Sequence, residues 1–283
     1  MTAVLAQTYL PLTEVAPFNP HYDVLILVAA LVVGYLYAVR RIGPYQVADG
    51  AAPVTGRQMA WFLGGVAALF VAAWWPIHDL AEESMFTFHM IEHLIIGLVV
   101  PPMLLLGTPR WLAELIGGSP RVLPIVKRLS RPVPAFFFYS IILVGIHWPA
   151  VNELMVTSDL AHFLIHAVFF ISAIFMWMPV LSPLPAVPRI APPARAFYLF
   201  LHSIIPTVPA SFLTFGSKPI YKIYETYPKL WGFDTITDQT VAGLIMKLVA
   251  GLYLWAIIAV IWFRWYNEEQ RWEAMERDLR GSS

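Results

Sequence analysis

Two pairs of histidines, His89/His93 and His162/His166, each stand one helical turn apart in segments that are otherwise apolar. Residues spaced i, i+4 share a helix face, with Cβ atoms about 5–6 Å apart, so both rings of a pair can reach one metal ion. The chain has no cysteine, which excludes disulfides, thiolate metal sites and iron–sulfur ligation. Eight histidines and ten methionines remain as soft or borderline ligands. Imidazole with thioether suits copper, above all Cu(I), whereas imidazole with carboxylate suits zinc better. Met85, Met90 and Met155 fall at the level of the two pairs, although a methionine alone is ordinary packing material.

The elements that must position these groups are membrane helices. The sequence is 59% hydrophobic and only 13% charged, against about 25% charged in a soluble domain. A bilayer core takes roughly 20 apolar residues per helix. Seven runs qualify: Tyr22–Val39, Gln58–Trp75, Met85–Leu106, Val133–Trp148, Asp159–Val180, Ala194–Phe215 and Thr237–Phe263. The expected fold is therefore an all-α polytopic membrane bundle. Residues 1–21 read as an extracytoplasmic tail, 22–263 as a seven-helix transmembrane domain and 264–283 as a cytoplasmic helix or tail. The loop after the third run has room for surface helices at Trp111–Ile116 and Val122–Leu129. A net charge of zero gives no field that would draw nucleic acid.

Lysine and arginine in the loops set the orientation. Fourteen fall on one side of the membrane and three on the other, Lys218, Lys222 and Lys229. The N-terminus is then outside and the C-terminus cytoplasmic. On this orientation His21, His78, His89, His93, His147, His162 and His166 gather toward the outer face, and only His202 lies toward the cytoplasm. At 1.5 Å per residue the two pairs lie about 5–12 Å below the outer surface. If the third and fifth helices are neighbours, four imidazoles face one another. His21 and His202 taken singly read as hydrogen-bonded membrane histidines.

Other polar groups admit more than one reading. His89-Met-Ile-Glu-His93 matches H-x-x-E-H, a zinc-protease pattern in which Glu92 would be the general base. Glu92 equally suits a partner that orients an imidazole. Lys247 falls about 14 Å below the outer end of the seventh helix, and Glu92 at a comparable depth is its candidate partner. Asp159 and Asp238 open their helices as caps. A bis-histidine haem electron carrier is a further reading of the two pairs.

The chain resembles the seven-span caa3-type cytochrome c oxidase assembly factors of the CtaG family. Four segments carry the resemblance. They are His89-Met-Ile-Glu-His93-Leu with Pro101-Pro102-Met-Leu-Leu-Leu-Gly107; His147-Trp-Pro149; His162-Phe-Leu-Ile-His166; and Asp238-Gln-Thr-Val-Ala-Gly-Leu-Ile-Met246. Lys247 departs from the aromatic or apolar residue expected next. The resemblance implies a non-enzymatic protein of the bacterial cell membrane, in association with a respiratory complex. It would supply copper, as Cu(I), to haem–copper oxidase subunits. It implies copper ligation by His89, His93, His162 and His166, joined by His147 and Asp238, and the residue reading adds Met90 as a thioether ligand.

Overall fold

A computed structural model describes residues 11–281, and among them every regular element is a helix. In chain order the long helices are α1 (Tyr22–Tyr45), α2 (Gly56–Glu83), α3 (Phe86–Gly107), α4 (Pro132–Ile146), α5 (Asp159–Leu181), α6 (Pro192–Phe215) and α7 (Thr235–Arg280). All but α4 are long and apolar enough on their own to cross a membrane. The chain is a multi-pass membrane protein. α4 makes a seventh crossing only if joined to Leu123–Leu129, which meets it at 79°. The reason is length: 15 residues make about 22 Å, short of a ~30 Å hydrocarbon core. Pro132 sets this bend, because a proline suits the first turn of a helix and cannot continue the one before it.

Several elements exceed the expected bounds. After a turn at 73–76, α2 resumes as Ile77–Glu83, with Asp79 in its first turn where the helix dipole favours a carboxylate. α7 runs as helix through Arg280, apolar at first and charged and exposed beyond Phe263. Pro149–Thr157, read as loop from sequence, is a helix. The surface helices form at Arg110–Gly117 and Leu123–Leu129. Of the expected N-terminal tail, residues 1–10 lie outside the described residues, as do 282–283 of the C-terminal one. Val15 packs with Leu80, Met85 and Leu230, and Trp75 Nε1 donates to the Ala16 carbonyl at 3.1 Å.

α3 is the axis of the bundle. In its apolar window 61% of residues are buried, against 17–44% in the other membrane helices. It packs on α2, α5 and α7. Against α2 the approach is backbone to backbone: a Cβ on Gly107 would stand 2.4 Å from the Phe62 amide nitrogen. Tyr35 Oη from α1 donates to the Gly107 carbonyl at 2.9 Å. Pro101 has no N–H to offer the Gly97 carbonyl one turn back. Trp177 of α5 supplies a donor there instead, Nε1 to oxygen at 3.4 Å. Between the histidines and these prolines, α3 contains one π-helical turn, Ile95–Val99.

One end of the bundle is closed by the segment between α6 and α7. Tyr224 Oη donates to the Ala81 carbonyl at 2.9 Å, Tyr221 Oη to the His147 carbonyl at 2.8 Å, and Lys229 Nζ to the Ser84 carbonyl. Lys229 also stands over the Tyr224 ring. This accounts for one of the three lysines that broke the charge pattern: it holds the closure in place.

Candidate metal centre

The histidines gather at this closed end. α3 contributes His89 and His93, α5 His162 and His166, and the last segment of α2 His78 with Glu82. His21 precedes α1 and His147 follows α4. The rings run in contact from the rim inward. Centroids are 4.6 Å apart from His21 to His78, 5.2 Å to His162, 4.1 Å to His166, 4.8 Å to His93 and 4.1 Å to His89. His147 stands 6.3 Å from His93. Helices α3 and α5 are neighbours, and the four imidazoles face one another.

The hydrogen bonding is incomplete at the centre. His93 Nε2 and His166 Nε2 lie 2.8 Å apart, so one carries the proton and the other accepts it. His89 Nδ1 and His93 Nδ1 are buried with no hydrogen-bond partner. His147 spends Nδ1 on the Leu143 carbonyl at 2.6 Å, which leaves Nε2 buried and unpartnered. A buried polar atom left unpaired costs about 1–3 kcal/mol. A cluster of spare imidazole nitrogens fits a soft or borderline cation, which takes their lone pairs.

Carboxylates border the imidazoles on the rim side. Glu92, fully buried, accepts from His78 Nδ1 at 3.0 Å through Oε1, which lies 3.9 Å from His166 Nδ1. Its Oε2 has no partner. Glu82 Oε1 lies 2.7 Å from His162 Nδ1 and 3.6 Å from His78 Nε2. The His162 contact is at ion-pair distance without hydrogen-bond alignment. Asp79 pairs with His21 at 3.1 Å. Outside the membrane helices, burial raises the Tyr224 hydroxyl well above its ordinary pKa and lowers the Lys229 amine, the latter against the pull of Asp238.

Several expected roles change. Asp238, grouped with the copper ligands, is occupied elsewhere: its two oxygens accept from the Phe86 and Thr87 amides at 2.8 and 3.0 Å. It caps α3 from α7. The Glu92–Lys247 pair does not form, because Glu92 faces His78 while Lys247 is exposed on the outer surface of α7. Met90 lines a small cavity beside His93 and His147 while packing, like Met155, in the main apolar core, and Met85 packs in a smaller apolar cluster. His21, read as a solitary membrane histidine, joins the chain of rings. His202 is buried among Phe136, Tyr139 and Tyr198 without a hydrogen-bond partner for either ring nitrogen.

From sequence the acids Asp79, Glu82 and Glu83 read either as attracting a cation to the mouth or as solvated helix ends, and the pairing of Glu82 with His78 is what that reading left out. His78 and Glu82 stand i, i+4 as the histidine pairs do, and that spacing was the available signal.

The sequence matches the family of cytochrome c oxidase caa3 assembly factors (Caa3_CtaG) over residues 10–268. It is 24% identical over 279 residues to an uncharacterized protein of Mycobacterium leprae, covering 88% of this chain and 40% of that one. Uncharacterized proteins of Mycobacterium bovis and Mycobacterium tuberculosis are each 24% identical over 240 residues, covering 76% of this chain and 35% of theirs. The chain thus spans less than half the length of these curated relatives. No solved structure matches it. With its match running from before α1 to beyond the membrane part of α7, this multi-pass protein of the cell membrane belongs to the cytochrome c oxidase caa3 assembly factor family.

Proposed function

We propose that the protein holds copper, as Cu(I), among His89, His93, His162 and His166, with His147 and Met90 beside them, and supplies it to a haem–copper oxidase subunit during assembly. The observation that carries this reading is the meeting of the two histidine pairs: His93 Nε2 and His166 Nε2 approach to 2.8 Å across the α3–α5 interface. Spare nitrogens on His89, His93 and His147 surround them. Imidazole and thioether are the donors that Cu(I) accepts in the absence of thiolate. Family membership supplies the oxidase, and the distribution of lysine and arginine puts the site on the outer side, N-terminus out and C-terminus in. Transfer proceeds by ligand exchange and needs no covalent catalysis.

Purified protein, loaded anaerobically from a chromophoric Cu(I) chelator, is expected to take up copper. Replacing His93 and His166 together by leucine is expected to weaken uptake more than ~100-fold, beyond what loss of an outer partner costs. Cells that lack the chain should assemble copper-deficient oxidase. Wild-type protein that takes no Cu(I) from the chelator would overturn the reading.

A further inference from the structure

The rim of the histidine cluster has a donor set of a different kind from its centre. One ligand atom each from His78, Glu92 and His162 lie within 4.8 Å of one another. A modest side-chain rotation would close that spread onto an ion bound at ~2.0–2.2 Å. The three come from three different helices, α2, α3 and α5. Glu82 adds a second carboxylate, with Oε1 at 2.7 Å from His162 Nδ1 and 3.6 Å from His78 Nε2.

Two independent observations point to a ligand here. Glu92 is fully buried and its Oε2 has no partner. His162 is buried, and neither ring nitrogen makes an aligned hydrogen bond although a carboxylate oxygen stands 2.7 Å away. The short contact with Glu82 holds the His162 ring at the rim, while its Nε2 stays buried without a partner.

We propose that His78, Glu92 and His162, with Glu82 at the mouth, form a second, adjoining site for a divalent transition-metal ion of the zinc type. Two imidazoles and two carboxylates suit zinc or Cu(II), whereas Cu(I) favours the thioether-flanked imidazoles farther in. The Glu82 side chain is 29% exposed and that of His78 12%, against 0% for Glu92, so the site opens toward the rim. His162 belongs to both donor sets: its ring centroid is 5.2 Å from that of His78 and 4.1 Å from that of His166.

The test uses the full chain in detergent or nanodiscs, titrated with Zn²⁺ by calorimetry and separately with Cu(I) against a chelator. Wild type is expected to bind one zinc. His78→Gln and Glu82→Gln are each expected to weaken zinc at least ~10-fold and to keep Cu(I) affinity within ~2-fold. The partly exposed Glu82 can be changed without opening a cavity, and a thermal melt confirms that each variant is folded. Zinc binding that depends on these residues in a protein that takes no Cu(I) supports the site and removes only the copper reading. Wild type that binds no zinc, folded variants that bind it as wild type does, or a parallel loss of zinc and Cu(I) would each overturn the proposal.

Discussion

Asp238 and Glu92 are both wholly buried carboxylates beside the same helix, yet they are used in opposite ways. Asp238 has both oxygens bonded to the backbone, at Phe86 and Thr87, and its own carbonyl accepts from Thr87 Oγ1 at 3.1 Å. It answers the unpaired amides at the start of α3, as a capping residue should. Glu92 bonds His78 with one oxygen and leaves the other free. A buried charge that serves structure is satisfied on every side. Glu92, which keeps a lone pair in hand, is the one of the two left open to a ligand.

That contrast can be broken by substitution. Asp238→Ala removes an acceptor from two buried amides and is expected to cost about 2–3 kcal/mol of stability, read as a lowered melting temperature, while the folded fraction still takes up metal. If it abolished uptake in folded protein, Asp238 would rejoin the ligands. Glu92→Gln keeps an acceptor for His78, so stability should change by less than about 1 kcal/mol, whereas zinc affinity should fall at least ~10-fold. Equal stability losses in the two variants would erase the distinction. Because His162 stands in both donor sets, zinc at a level that just saturates wild type should weaken Cu(I) binding about 5-fold there and less in His78→Gln. Lys247→Met is the smallest: no change in metal uptake and a stability change within about 0.5 kcal/mol. A large effect on Glu92-dependent binding would restore the pair that the structure separates.

The histidine cluster was readable because it follows simple rules. Spacing fixed the shared face of each pair, hydropathy located the helices, and matched depth brought His89/His93 level with His162/His166. Contacts across the chain were not readable in this way. Asp238 reaches Phe86 over 152 residues and Tyr224 reaches Ala81 over 143, and no local periodicity encodes such pairings. Lys247 and Glu92 were matched by depth alone, and depth says nothing about the direction in which a side chain leaves its helix. The same limit left the rim groups unassembled: His78 and Glu82 were legible at the outer mouth, but their contacts with His162 and Glu92 cross between helices. α4 misled for a different reason: composition measures how apolar a segment is, and the bend at Pro132 decides how far it reaches.

The π turn at Ile95–Val99 adds one residue to the winding of α3, and one residue is about 100° of rotation. The two halves of this helix therefore keep separate angular registers. His93 addresses His166 of α5 from the first half, and Gly107 addresses Phe62 of α2 from the second. Were the same residues wound as an even α-helix, the histidines would swing about 100° around the axis while Gly107 stayed in its contact. The aim of the histidines is thus set by a count of residues in a stretch that carries none of them.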